Sequence, residues 1–139
     1  MKQLLGFMAA AVAVWGQGQG REVKLIDSIL GPDLYRAYCA SCHGTDAKGK
    51  GPMAESLKVA AADLTRISLR NHGVFPLAHI QKVISGEQQP TGGHGSREMP
   101  VWGPIFSQVT FSQVTGDVDL GRVRVDNLAR YLREIQVMK

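Results

Sequence analysis

At 139 residues the chain has room for one hydrophobic core of ordinary size and not for two, so a single domain is expected. Apolar residues make up 44% and charged residues 20%, a balance that excludes both a disordered chain and a largely membrane-embedded one. The formal charge of +4 is dispersed among acids, as in Arg122, Arg124, Asp126, Arg130, Arg133 and Glu134, with no continuous basic block, so nucleic acid is not expected as a partner.

The first 20 residues read as a secretory signal peptide. Lys2 supplies a positive start, Leu4 to Trp15 form an apolar run, and Ala11-Val12-Ala13 offers small residues for cleavage, which is expected after some position from Ala13 to Gly20. The run is shorter than the roughly 20 residues that span a bilayer, so no stable membrane insertion is expected. Neither cysteine lies near it for lipid attachment. Residues 21–139 then form the domain, outside the cytoplasm and in a periplasm-like compartment.

Gly31-Pro32 opens the first expected helix, which runs to Cys42; Leu34, Tyr35, Tyr38, Cys39 and Cys42 share one face, and Gly44 is a natural stop. Residues 44–52 carry three glycines and end in Pro52, which predicts a turning loop. From Met53 to Arg70 the periodicity is weak, with one short helix near Glu55 to Lys58. A compact amphipathic helix is expected after Phe75-Pro76, with Leu77, Ile80, Val83 and Ile84 aligned and Gly86 closing it. The glycine-rich stretch from Gln88 to Glu98 reads as loop and leads to Met99-Pro100. Next comes a tandem FSQVT, Phe106 to Thr110 and Phe111 to Thr115, expected as a local duplication in an extended surface segment, since two copies make no repeat architecture. The last helix, from Asp119 to Val137, carries Leu120, Val123, Leu128, Tyr131, Leu132 and Ile135 on one stripe and arginines on the other side.

Both cysteines of the chain fall in Cys39-Ala40-Ser41-Cys42-His43, the C-x-x-C-H spacing of c-type haem attachment. Three residues apart on a helix, two thiols project from one face and can each form a thioether along one porphyrin edge, while the following imidazole comes beneath the iron. Two other readings use the same residues. A thioredoxin-like dithiol needs a βαβ pattern and leaves His43 idle; a structural zinc site would need His72, His79 or His94 to complete its ligands.

Beyond the motif, the chain from Gly31 to Gln136 resembles the class I, single-haem cytochrome c family. Gly31 and Tyr35 stand where that family has a small residue and an aromatic before its cysteine pair. Leu128 and Tyr131 are similar to the leucine and aromatic of its last helix, which crosses the first, and Gly31 suits such a close crossing. The resemblance implies an all-α cytochrome c-like fold wrapped around one covalently bound haem c, with Cys39 and Cys42 binding the porphyrin and His43 and Met99 as iron ligands. It also implies that the Pro52 carbonyl accepts the hydrogen bond of His43. Met53 directly follows Pro52 and competes less well for the sixth position than His94, which would give a bis-histidine site. Trp102 and Arg97 flank Met99 as donors to a haem propionate, with packing an equal role for Trp102. His72 and His79 read as ordinary surface histidines. The stretch from Pro104 to Asp117 departs from the family, being longer than a minimal class I carrier needs between its methionine and its last helix.

With both axial positions filled, the expected activity is one-electron transfer and not an enzymatic reaction, in a monomer that meets redox donor and acceptor proteins briefly. A haem c subunit of a dehydrogenase or oxidase complex stays open as an alternative, as does a haem protein with an open sixth site for gas binding or catalysis.

Overall fold

The computed structural model describes residues 26–88, 99–108 and 118–137. The expected signal peptide, His94, Arg97 and all of the FSQVT pair after Gln108 lie outside the described residues. Among those described, every regular element is helical and none is a strand, in agreement with an all-α cytochrome c-like fold.

The first helical run is not a uniform α-helix. Helix α1 (Gly31–Leu34) widens into a π turn (Tyr35–Cys39) and returns to α geometry as α2 (Ala40–His43). Pro32 sits in the first turn, where its missing N–H costs nothing. In the π turn the Ala40 amide donates to the carbonyl of Tyr35. The extra residue per turn rotates the rest of the helix around its axis. Tyr35 thereby reaches the ring of Tyr131 and the carbonyl of Gly44, while Tyr38 reaches Trp102 and Phe106. Gly44 ends the run at φ +80.

The middle of the chain holds more structure than its pattern predicts. Short 3-10 turns form at Ala54–Ser56 and Leu64–Arg66, followed by α3 (Ile67–Arg70). Units of three or four residues are too short to display a stripe. Helix α4 (Leu77–Ser85) and its left-handed stop at Gly86 match the expectation.

Helix α5 (Trp102–Ser107) corrects the reading of an extended surface segment there. Phe106, the first residue of the duplicated motif, is fully buried and faces Tyr38 and Trp102. Pro104 is tolerated because it lies in the first turn, where amides have no intrahelical acceptor.

Helix α6 (Leu120–Glu134) starts at Asp119, whose carboxylate accepts from the Arg122 amide, and it packs against α1, α4 and α5. Its buried face includes Val125, Leu128, Ala129 and Leu132. Arg124 departs from the expected arginine face: it is 1% exposed and donates to the carbonyls of Ser28, Phe106 and Ile26. Three acceptors fix the planar guanidinium and meet the demand that a buried charge be hydrogen-bonded. Where α1 crosses α6, a Cβ on Gly31 would lie 2.5 Å from the Asn127 carbonyl oxygen and from Tyr131 Cβ. Only glycine permits that approach.

Candidate functional site

The helices enclose a cavity of about 430 Å³. Cys39, Cys42 and His43 border it from the first helical run, and Leu57, Val59, Ala60, Ala61 and Ala62 from the segment before α3. His79, Ile80, Val83 and Ile84 of α4 contribute a further part, Met99, Pro100 and Trp102 another, and Leu128 and Leu132 of α6 complete it. All four residues expected at the site therefore meet at one cavity. Met53 does not line it and is exposed. Its amide instead bonds the Ser41 carbonyl, which holds it on the outside of the turn after α2.

His43 Nδ1 lies 2.9 Å from the carbonyl oxygen of Ala62. A carbonyl can only accept, so in the neutral ring Nδ1 carries the proton and Nε2 keeps its lone pair. Burial lowers the imidazole pKa from its ordinary value, and the Ala62 bond partly opposes that shift. Burial is the larger effect, and it favours the neutral ring that suits metal binding. The acceptor differs from the Pro52 implied by the resemblance. Gly51 donates to the Cys42 carbonyl and Met53 to that of Ser41, which draws residues 51–53 back along α2 and leaves Pro52 exposed. The later segment around Ala62 passes the ring instead. Gly49, at φ +81, lets it approach, because a Cβ there would collide with the Ala61 carbonyl.

Burial, and then the neighbouring Cys42, push the Cys39 thiol up to about 12, so it stays protonated. Both cysteines are free and half-buried. Tyr35 donates its hydroxyl to the Gly44 carbonyl at 2.6 Å, which ties the end of α2 to the core. Burial, followed by Cys39 and other neighbours, pushes that phenol upward and keeps it a donor.

Away from the attachment motif, the polar lining comes chiefly from Arg70, Asn71 and His79. Sequence reasoning missed all three. For His79 this corrects the reading as an ordinary surface histidine; it stands one turn before Val83, beside the apolar stripe, and that offset was its only signal. His72 is exposed, at φ 55. Trp102 packs against Tyr38 at 5.3 Å between ring centroids and against Phe106 at 5.6 Å.

This donor set fits a c-type haem. Two thiols, an imidazole with its second nitrogen already engaged and a thioether border one mainly apolar cavity with a polar edge. Among the described residues no group of three or more His, Cys, Asp or Glu could hold a bare metal ion, and no strand supports a thioredoxin-like arrangement.

Comparison with known families gives a match over residues 30–116 to the family described as cytochrome C oxidase, cbb3-type, subunit III, a cytochrome c type domain of class I. The chain belongs to this family. The matched residues of this cytochrome c domain include the whole attachment motif and Met99, and end before α6. Neither the curated proteins nor the solved structures yield a match. Haem binding and haem-based electron transfer follow for the domain at the level of the family. Among the described residues no helix is long and apolar enough to cross a membrane.

Proposed function

We propose that the protein is an exported carrier of single electrons, with one haem c joined to Cys39 and Cys42 and held by His43 and Met99. The observation that carries this reading is the convergence of those four side chains on one cavity. When bound, the haem supplies an iron centre that takes up and returns one electron. The chain's own residues do the rest. Cys39 and Cys42 anchor the porphyrin through their sulfurs, and His43 offers Nε2, oriented by Ala62. Met99 offers a soft thioether, which favours the reduced iron. Leucine, isoleucine and valine side chains exclude water, while Arg70, Asn71 and His79 suit the carboxylates of the porphyrin.

His43 and Met99 would together hold the iron and leave no position for a substrate, which supports a carrier and not an enzyme. Residues 1–20 support export. We read the carrier as a soluble monomer meeting its donor and acceptor proteins transiently. A second reading, a haem c subunit docked in an oxidase, is favoured by the description of the matching family. Native size analysis of cell extracts separates the two: free monomer supports the carrier, and co-migration with oxidase activity supports the subunit.

The central test combines intact mass with a pyridine haemochrome spectrum of the exported protein. One haem retained after acid–acetone extraction is expected; a colourless mature chain overturns the reading. In the ferric protein a near-infrared sulfur-to-iron charge-transfer band is expected and should vanish in Met99→Ala. Carbon monoxide binding to reduced wild type at native pH would point instead to an open sixth site.

A further inference from the structure

The carbonyl that orients His43 belongs to a segment tied to the far end of the chain by one side chain. Gln136, just beyond α6, donates from its amide nitrogen to the carbonyls of Leu64 at 2.7 Å and Leu132 at 2.6 Å. Its amide oxygen accepts from the backbone N–H of Ser68 at 2.8 Å. The next residue, Val137, donates its own N–H to the Thr65 carbonyl at 2.9 Å. From the opposite direction the Leu64 amide donates to Ala47 in the loop after the attachment motif at 2.7 Å. Within the segment, Asp63 accepts from both the amide and the hydroxyl of Thr65. Both peptide groups flanking Leu64 are thus fixed, and the Ala62 carbonyl belongs to the next peptide group upstream, with only the two backbone rotations of Asp63 between them.

We propose that Gln136 is a positioning residue for the His43 imidazole, acting by clamping the 62–68 segment so that the Ala62 carbonyl stays in line with Nδ1. The inference rests on the reading of His43 as an iron ligand. A primary amide is the neutral side chain that both donates to carbonyls and accepts from an N–H, which is what this junction requires. The mechanism is electronic as well as steric. A strong Nδ1–H to carbonyl bond makes Nε2 a better donor and favours oxidised iron, so loosening the clamp favours the reduced state.

The experiment uses the haem-loaded full chain. Solvent exchange of the His43 Nδ1 proton is followed by NMR in the reduced protein, and the reduction potential is measured beside it. In Gln136→Ala, exchange should accelerate roughly tenfold, and the reduced-to-oxidised ratio at fixed ambient potential should rise roughly three- to tenfold, the range of one weakened hydrogen bond. Gln136→Glu keeps the acceptor toward Ser68, loses the donors and sets a carboxylate against two carbonyls, so exchange should accelerate at least as much; because its added negative charge itself favours oxidised iron, exchange is the readout that carries the test if the alanine variant does not hold haem. Asp126→Ala serves as the control. It removes the Gln81 contact that joins α4 to α6 and the Arg130 contact within α6, but touches nothing in the clamp. If the Gln136 variants move the two readouts no more than Asp126→Ala does, the inference is overturned while the functional reading stands. A wild-type chain without haem overturns both.

Discussion

The two sides of the cavity are built on different plans. The His43 side is assembled from close neighbours in sequence: Gly49 donates to the His43 carbonyl, Gly51 to that of Cys42, Met53 to that of Ser41, and Tyr35 to that of Gly44. Among the described residues the Met99 side shows little such wiring. Met99 precedes α5, and α5 is placed by its packing on α6 and by the rings of Tyr38, Trp102 and Phe106. A donor fixed by directional bonds keeps its geometry until those bonds break, whereas one fixed by side-chain packing follows the core. The imidazole should therefore persist through perturbations that already release the thioether.

Phe106→Ala should give the largest effect and break the comparison most directly. The side chain is fully buried between Tyr38 and Trp102, and its removal should cost about 3–5 kcal/mol in denaturant unfolding. In that variant the near-infrared band of Met99 should disappear at a lower denaturant concentration than the loss of helical ellipticity. Coincident loss would show that the two sides are one cooperative unit. Gly49→Ala attacks the other side. Left-handed strain of roughly 1–2 kcal/mol adds to the collision with the Ala61 carbonyl, so a total of about 2–4 kcal/mol is expected. Here the Met99 band should survive while exchange of the His43 Nδ1 proton accelerates.

The same division explains what was legible in the sequence. The attachment motif spells its chemistry in five adjacent residues, and α4 and α6 announce themselves by stripes long enough to count. Gly31 could be read as a crossing residue because its need for space is a property of the residue itself. The acceptor for His43 could not, because a backbone carbonyl carries no signature of residue type, and Ala62 looks like any alanine. Helix α5 was hidden for another reason. With six residues and Pro104 in its first turn, it shows only the Trp102 and Phe106 pair, one turn apart. Arg124 misled because helical pattern assigns arginine to solvent, while its burial depends on three carbonyls from Ile26, Ser28 and Phe106, two of them nearly a hundred residues away. The π turn likewise answers to contacts on both sides of the helix and not to its own residues.

Tyr35→Phe sharpens the comparison with a smaller change. The variant keeps the ring against Tyr131 and removes one hydroxyl, leaving the Gly44 carbonyl without that donor. The hydroxyl bond is buried, so the cost should be about 1–2 kcal/mol, read as a shift in the denaturation midpoint with the unfolding slope unchanged. The Met99 band should be unaffected.

Tyr38→Phe is the matching change on the other side, and the smallest. Its hydroxyl accepts from the Ile26 amide at 2.7 Å, holding the segment before α1 beside the aromatic cluster, where Arg124 also grips it. That bond is only part-buried and water can replace the lost acceptor, so about 0.5–1 kcal/mol is expected. The informative readout is local. Hydrogen exchange at the Ile26 amide should accelerate, and because Tyr38 lines the cavity beside Trp102, the Met99 band should broaden or shift without being lost. A Tyr38→Phe protein that leaves this band untouched while Tyr35→Phe disturbs it would reverse the assignment, with the wiring of the His43 side controlling both ligands and the aromatic cluster serving only to fill space.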